Sequence, residues 1–377
     1  MHNAAARKKP CAPGLTAKPA CGLCEGGSLA RRAKLPYDIP MRFLLCLCLL
    51  CLLPASAAQA ASAGAHGLLD ALWTPAELAG RQEDHARTRG NDTPLTRPEP
   101  RAQLPPLPPG EEGNIRRVAP PRGDKPVALT FDLCELAARS SGYDDKIIGY
   151  LRARAIPATF FAGGKWLHSH RERGLQLMAD PLFELGNHAW THGNFGILDA
   201  PAMREQILRT QAYYEDMREE LLARARQKGL DAEKLVAPAM RFFRLPYGRC
   251  SPEALRLLHS LGLRVIQWDV GAENAGDNSL PGMAQRVADR VRPGSILLFH
   301  ANGAPKGSAA LLAGLVPLLQ KRGFRFVRIG ELLEIGRAQL FQECYFERPG
   351  DNLRYDAMPG AGGSPVRRQG RLHFGGI

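Results

Sequence analysis

The sequence predicts an α/β barrel, open or distorted, in which parallel strands lie inside and helices lie outside. Short apolar runs alternate with helical patterns about seven times, which is typical of a parallel sheet covered by helices. The alternation occupies about 210 residues, which suits a barrel. No G-x-G-x-x-G follows the first predicted strand, which disfavours a dinucleotide-binding sheet.

The N-terminal part of the chain contains a targeting pattern. Residues 41–60 resemble a secretory signal peptide, with an apolar run from Phe43 to Leu53 and an A-x-A cleavage site at Ala58-Gln59-Ala60. The run is too short to span a bilayer, so we expect export to the periplasm or the exterior without stable membrane insertion. Residues 1–40 show no periodicity, and we interpret them as an upstream artefact, with Met41 as the true start.

Composition and charge exclude several classes of protein. Of the 377 residues, 45% are apolar and 23% are charged, which is enough for a core and rules out global disorder. The net charge of +13 lies partly in residues 1–40 and in the C-terminal tail, and the body has no dense basic run, so we expect no nucleic acid partner. Only Cys134, Cys250 and Cys344 follow the cleavage site, which allows at most one disulfide and leaves one thiol free.

Two flanking segments are predicted around the barrel. Residues 61–124 form a proline-rich segment, with a short helix around Leu68 to Leu78 and then nine prolines that indicate an extended linker. Residues 125–336 are predicted to form the barrel domain. Residues 337–377 form a C-terminal extension that is partly disordered, because the periodicity fades there and the end is rich in Gly, Arg and Pro.

Within residues 125–336, short apolar runs predict the strands, and apolar residues three or four apart predict the helices. The predicted strands are 127–131, 158–161, 183–188, 241–245, 264–268, 295–300 and 324–329. The predicted helices are 144–155, about 200–228, 252–262, 283–291 and 309–323.

Polar side chains follow five of these strands, at the ends where a βα barrel places its chemistry. A single buried histidine is more often a hydrogen-bonded core residue, but a structural role gives no reason to place all of these side chains on one face. We therefore expect one active site at this rim. Its candidates are Asp132, Glu135, His188, His192, Arg244, the Pro246-Tyr247-Gly248 turn, Trp268, Asp269 and His300.

The spacing of His188 and His192 indicates a metal site. If the chain turns into a helix after the strand, side chains four residues apart lie on one face and can share a metal. The alternative is two histidines on a helix surface. The position of Asn187-His188 at a strand end, with Trp190 between the two histidines, favours the metal site.

Five motifs carry a resemblance to a known family. They are Thr130-Phe131-Asp132, Ala158-Thr159-Phe160-Phe161, the His188/His192 pair, Arg244-x-Pro246-Tyr247-Gly248 and Leu298-Phe299-His300. In this order they resemble the polysaccharide deacetylase family, the NodB-homology or fourth carbohydrate esterase family, over about residues 125–335. The resemblance implies a distorted (β/α)7 barrel and metal-dependent removal of N- or O-acetyl groups from a polysaccharide. The signal-peptide pattern adds the expectation that this polysaccharide belongs to the cell envelope or the exterior.

The resemblance also implies a role for each polar residue. Asp132 would be the general base that takes a proton from water, and Arg244 would keep it ionised and oriented. His188 and His192 would hold a divalent metal, usually zinc in this family, with an open position for water and substrate.

On the substrate side, the backbone N–H of Tyr247 would stabilise the oxyanion, and His300 would protonate the departing amine or hydroxyl. The family often has an Asp a few residues after a Trp in the fifth strand region, whereas here Trp268 and Asp269 are adjacent. Asp269 either orients His300 or caps a turn, and the sequence leaves both open.

The chain departs from the family at one metal ligand. The family usually has a second Asp directly after the base, and here that position is Leu133, which cannot bind a metal. Glu135 is the first choice for a replacement, and Asp144 at the start of the next helix is the second. Cys134 is a third choice because thiolates bind zinc well, although an inert buried thiol is the simpler interpretation.

Two other functions compete with a deacetylase. One is a non-catalytic carbohydrate-binding relative that lost its metal with Leu133; retention of the other five polar residues argues against it. The other is an amidohydrolase acting on a small amide; a signal peptide fits a cell-envelope polymer better. The sequence does not predict an oligomeric state.

Overall fold

The structure is a computed structural model that describes residues 67–85 and 99–358. The predictions for residues 1–40, for the signal peptide at 41–60 and for the tail at 359–377 fall outside these residues. Among the helices of the described ranges, none combines the length and the apolar character needed to cross a membrane.

The described chain contains one curled sheet of ten strands. They are β1 (Asn114–Ala119), β2 (Pro126–Leu133), β3 (Ala158–Ala162), β4 (Phe183–Asn187), β5 (Phe242–Phe243), β6 (Arg264–Ile266), β7 (Val270–Gly271), β8 (Ile296–His300), β9 (Arg325–Phe326) and β10 (Arg337–Phe341). The order is β10-β1-β6-β5-β4-β3-β2-β8-β7, with β9 beside β2. All pairs are parallel except β1 with β10. A bridge between Arg117 and Ser295 links β1 to the start of β8, so the sheet curls back on itself and the predicted distorted barrel is confirmed.

Helices lie between the strands in the chain and cover the outside of the sheet. They are α1 (Gly67–Leu72), α2 (Pro75–Leu78), α3 (Asp145–Ala153), α4 (Gly164–Ser169), α5 (Arg171–Ala179), α6 (Ala200–Gln227), α7 (Pro252–Ser260), α8 (Met283–Ala288), α9 (Ser308–Lys321) and α10 (Ile329–Ile335). Short 3-10 turns lie at Gln82–His85, Pro246–Gly248 and Leu353–Ala357. The side chains of Asp144, Asp199 and Ser251 cap α3, α6 and α7 by accepting a backbone N–H of the first turn.

Strand β2 shows how the core positions the rim. All of its residues are buried, and side chains alternate between the two faces of a strand. The odd-numbered residues from Val127 to Leu133 belong to an apolar cluster shared with the outer helices. Ala128 belongs to a second cluster inside the sheet, together with Ile266 and Leu298. Asp132 shares the face of Ala128 and therefore points to the inside of the barrel.

The sheet begins earlier than the sequence predicts. Residues 114–119, predicted as linker, form β1 between β10 and β6. Arg116 and Arg117 interrupt the apolar pattern of this strand and concealed it. Arg116 is buried. Its guanidinium is satisfied there, because it donates to the carbonyls of Tyr345 and Phe346 at 2.7 and 2.9 Å.

The C-terminal extension is folded onto the barrel as far as residue 358. Its strand β10 pairs with β1, and a disulfide joins Cys344 to Cys250. Asp356 forms an ion pair with Arg249 at 2.7 Å. Cys134 is the free cysteine of the described chain, as the cysteine count allows. These contacts bring the Leu353–Ala357 turn close to the carboxyl ends of the strands.

Candidate active site

The carboxyl ends of β2, β4, β5 and β8 meet at one end of the curled sheet. Asp132 is the penultimate residue of β2, and His300 is the last residue of β8, directly paired with it. His188 follows β4, and Arg244 follows β5. Because the strands are parallel, these side chains share one rim.

Asp132 is held in place by a buried arginine. Arg244 is fully buried, and its Nη1 donates to Asp132 Oδ1 at 2.9 Å. The carbonyls of Ile266 and Gln267 accept from Nε at 3.1 Å and Nη2 at 3.2 Å, and the guanidinium carbon lies 4.1 Å from the Phe161 ring centre. Removing either charge would leave the other buried and unpaired. Asp132 therefore presents Oδ2 in a fixed direction.

The two histidines meet through a loop, and the helix that their spacing suggested is not formed. Ala189 and His192 have φ of 64° and 59°, in the left-handed region, and Asn187 Oδ1 supports the turn by accepting the Ala189 N–H at 2.9 Å. The ring centres of His188 and His192 are 4.8 Å apart. His188 Nδ1 lies 2.9 Å from the carbonyl of Arg244, which can only accept, so Nδ1 carries the proton and Nε2 has the free lone pair.

Cys134 is the centre of the polar cluster. Its Sγ lies 3.6 Å from His188 Nε2, which in turn lies 3.5 Å from Asp132 Oδ2. One nitrogen of His192 and one of His300 also lie within 4.8 Å of the sulfur. Burial opposes ionisation of the thiol, but the charge of His192 and hydrogen bonds with the three histidines hold the pKa of Cys134 well below its usual range.

Glu135 points away from the histidines. Its buried carboxylate accepts from Ser169 Oγ at 2.6 Å and from the Ser141 N–H at 3.2 Å, and it lies 4.0 Å from Lys165 Nζ. Side chains alternate along an extended chain, so residue 135 returns to the outer face occupied by Leu133. This placement corrects the prediction that Glu135 replaces the missing metal ligand.

Two other carboxylates that the sequence analysis considered accept hydrogen bonds from backbone N–H groups. Asp144 accepts the Ile147 N–H at 3.1 Å and caps α3. Asp269 accepts from Ser295 Oγ at 2.8 Å and from the Ile296 N–H at 2.9 Å, which fixes the start of β8. Asp144 is therefore not brought to the histidine pair, and Asp269 does not orient His300.

Glu273 orients His300 instead. Its Oε2 lies 2.7 Å from His300 Nδ1, and its Oε1 accepts from Ser308 Oγ. Burial lowers the pKa of His300, but the hydrogen bonds with Cys134 and Glu273 outweigh burial and raise it well above the usual value. The sequence analysis assigned no role to Glu273. The available signal was an acidic residue after a strand end, but β7 is only two residues long and has no pattern of its own.

Two aromatic rings lie at the rim, one from the turn after β5 and one from the C-terminal extension. Tyr247 has a φ of 59°, which is strained for a residue with a side chain and is frequent at functional sites. Its ring packs edge-on against His192, with centres 4.4 Å apart. Tyr355, from the C-terminal extension, stacks on Tyr247 at 5.3 Å. The sequence analysis did not bring Tyr355 to the site.

The donor atoms of the cluster suit a borderline-soft divalent metal. One ring nitrogen of His188, one ring nitrogen of His192 and the sulfur of Cys134 lie within 4.8 Å of one another. His192 Nδ1 is buried and has no hydrogen-bond partner among the described residues, which is unusual for a buried polar atom. Nitrogen and sulfur are the ligands that zinc prefers. The residues present therefore fit a metal of this class.

A separate cavity of about 690 Å³ lies at the other end of the sheet. It is lined by the proline-rich residues 104–108 and by Phe242 and Arg264, which begin β5 and β6. It is therefore distinct from the rim described above.

Comparisons with known proteins agree with the resemblance that the motifs carry. Residues 119–266 match the family described as polysaccharide deacetylase. A peptidoglycan-N-acetylglucosamine deacetylase of Bacillus cereus is 26% identical over 213 residues, which are 56% of this chain and 69% of that protein. A chitooligosaccharide deacetylase of Azorhizobium caulinodans is 28% identical over 187 residues, which are 46% of this chain and 80% of that protein.

Similar structures have also been solved. A family 4 carbohydrate esterase from Bacillus anthracis is 22% identical, with a TM-score of 0.44 over 60% of this chain and 89% of that chain. A CE4 family pseudoenzyme from Bacillus anthracis is 25% identical, with a TM-score of 0.45 over 61% of this chain and 72% of that chain.

Proposed function

We propose that the protein is a secreted, metal-dependent hydrolase that removes acetyl groups from a glycan, because residues 119–266 match the polysaccharide deacetylase family. The observation that carries the proposal is the joint geometry of the rim. A carboxylate fixed by a buried arginine, two clustered histidines and a third, separately oriented histidine converge at one end of the sheet. Acyl hydrolysis needs a base, an electrophile and an acid in this arrangement.

Asp132 and the histidine pair would act on the water side of the reaction. His188 and His192 would hold the metal, which when bound supplies a Lewis acid for the acetyl carbonyl and lowers the pKa of water. Asp132 takes the proton of the attacking water through Oδ2, since Oδ1 is occupied by Arg244. Arg244 is a positioning residue, because it touches the base and not the substrate.

Tyr247 and His300 would act on the substrate side. The Tyr247 N–H donates to the carbonyl oxygen as negative charge develops on it. His300 donates its proton to the departing nitrogen or oxygen while Glu273 holds the other ring nitrogen. The carbon–nitrogen or carbon–oxygen bond of the acetyl group breaks, the oxygen of water ends in acetate, and the sugar leaves with a free amine or hydroxyl.

The relatives support a substrate class, and the N-terminal sequence supports a location. The relatives described above are named for peptidoglycan N-acetylglucosamine and for chitooligosaccharide, so an N-acetylated glycan is the first substrate to test. The signal-peptide pattern at 41–60 supports export to the compartment where such polymers occur. Expression in a bacterium followed by N-terminal sequencing tests this: export predicts a mature start after Ala60, and an uncleaved cytoplasmic protein would refute it.

Acetate release tests the activity. Peptidoglycan, a chitooligosaccharide and an O-acetylated polysaccharide are incubated with the purified protein, with the chelated protein and with the chelated protein after zinc is restored. We expect acetate from at least one N-acetylated glycan, loss on chelation and recovery with zinc. The chelated protein is the matched control, because only the metal differs. Binding to a glycan without acetate release in any arm would instead identify a non-catalytic carbohydrate-binding protein.

A further inference from the structure

We propose that Cys134 is a metal ligand, so that the metal of this domain is bound by one thiolate and the two histidines His188 and His192. The inference rests on the proposed metal-dependent function and adds the identity of the third donor. It also limits the class of metal, because sulfur is a soft ligand. The argument uses the direction of the side chains after β2, the distances in the cluster and the contacts of the competing carboxylates.

The direction of the chain places Cys134 inside the barrel. In the extended chain that ends β2, Leu133 points outward into the apolar cluster under the helices. Asp132 and Cys134 flank it on the inner face. The position at which the family usually has its second Asp is therefore turned away from the histidines in this chain. The next residue on the inner face is the cysteine.

The competing carboxylates are engaged elsewhere. Glu135 is bound by Ser169 and Ser141, and Asp144 caps α3. Asp132 approaches His188 but is not in the same group of mutually close ligand atoms as His192. Within the described residues, Cys134 is the donor that forms such a group with both histidines.

The distance between the two donor atoms fits a shared ion. A tetrahedral zinc has bonds of about 2.3 Å to sulfur and about 2.0–2.1 Å to imidazole nitrogen, which separates the two atoms by about 3.5–3.6 Å. The distance from Cys134 Sγ to His188 Nε2 is 3.6 Å. His188 Nε2 has its lone pair free, because Nδ1 donates to a carbonyl. The pair is therefore already at the spacing that one ion requires.

A sulfur ligand has two consequences. A thiolate supplies the negative charge that the family's second carboxylate would supply, so the net charge of the site is retained. Thiolates select zinc and similar borderline-soft ions over magnesium, calcium and manganese, which prefer oxygen ligands. We expect the protein to bind zinc and cobalt much more tightly than manganese.

Cobalt spectroscopy tests the ligand independently of activity. The full chain is loaded with Co²⁺ in place of its native metal, and the near-ultraviolet absorption band that reports sulfur bonded to cobalt is recorded. We expect the band in the wild-type protein and its loss in Cys134→Ser. Because residues 21 and 24 form a C-x-x-C pair in the full chain, the variant Cys21→Ser/Cys24→Ser is the control and should keep the band.

Affinity measurements complete the test. Cys134→Ser should lose more than the about 10–100-fold in zinc affinity that removal of an outer-shell partner causes. Cys134→Asp should recover most of that affinity without the sulfur band, and should gain affinity for manganese. Cobalt bound at His188 and His192 without the sulfur band in the wild-type protein would overturn this inference and leave the deacetylase proposal standing. If His188→Ala and His192→Ala leave cobalt binding unchanged, both proposals are wrong.

Discussion

Replacing Leu133 by aspartate restores the residue that the resemblance implies for this position, yet we predict a loss of stability and no gain in metal affinity. The reason is the direction of the side chain. Leu133 is 0% exposed and lies in the apolar cluster between the sheet and the outer helices. A carboxylate there faces apolar side chains instead of the histidines.

The size of the effect follows from two contributions. Truncating a buried leucine typically destabilises a protein by about 2–5 kcal/mol, because the lost contacts leave a cavity. A buried polar group without a partner adds about 1–3 kcal/mol. We therefore expect the free energy of unfolding of Leu133→Asp to fall by at least about 3 kcal/mol, a large part of the about 5–15 kcal/mol that holds a typical protein folded.

Urea unfolding of the metal-free proteins, followed by tryptophan fluorescence, measures this change. The control is Leu280→Asp, since Leu280 is 56% exposed and an exposed substitution is expected to change the free energy by less than about 0.5 kcal/mol. Zinc affinity is measured on the same samples. If Leu133→Asp unfolds within about 1 kcal/mol of the wild type and binds zinc more tightly, the assignment of Leu133 to the outer face is wrong.

Four further predictions address the site and the C-terminal extension. His188→Ala or His192→Ala should abolish both acetate release and stoichiometric metal, which metal analysis measures; an active variant with one equivalent of metal would contradict the site. Asp132→Asn should keep most of the metal but lower kcat by about 10²–10⁴, as for loss of a general base, while the exposed Asp216→Asn should leave kcat unchanged. Glu273→Gln should lower kcat while KM and metal content stay near wild type, because Glu273 positions the acid and touches neither substrate nor metal; a change in KM alone would refute this role. Reducing the Cys250–Cys344 disulfide should lower the free energy of unfolding by about 2–5 kcal/mol in urea titrations, and an unchanged midpoint in fully reduced protein would show that the bond adds nothing.

The parts of the fold that the sequence predicted are those with strong local patterns. The run VALTF becomes β2 because four of its five residues are apolar and the run is buried on both faces. The long helix predicted at about 200–228 is α6, where Asp199 caps the first turn. Strand β1 was missed because its two arginines find partners more than 200 positions later, which no local pattern records. Arg116 donates to the carbonyls of Tyr345 and Phe346, and Arg117 donates to the side chain of Gln339.

The site was predicted as a set of residues but not as a geometry. The H-x-x-x-H spacing suggested a helix, whereas left-handed backbone at Ala189 and His192 brings the rings together in a loop. Strand alternation already placed residue 134 on the side of Asp132, but the preference for a carboxylate favoured Glu135. Glu273 and Tyr355 reach the rim through tertiary contacts. The only local signal for Glu273 is an acidic residue after the two-residue strand β7, and Tyr355 has none.

The disulfide between Cys250 and Cys344 also sets an order of events during synthesis of the chain. The turn that presents Tyr247 lies just before Cys250, and the segment with Tyr355 that packs on it follows Cys344, which is 94 residues further along. A ribosome makes the polar side chains of the rim before the segment that carries Tyr355. The aromatic side of the rim can therefore be completed only after almost the whole described chain has been made. Until then, Tyr247 lacks the ring that stacks on it at the edge of the rim.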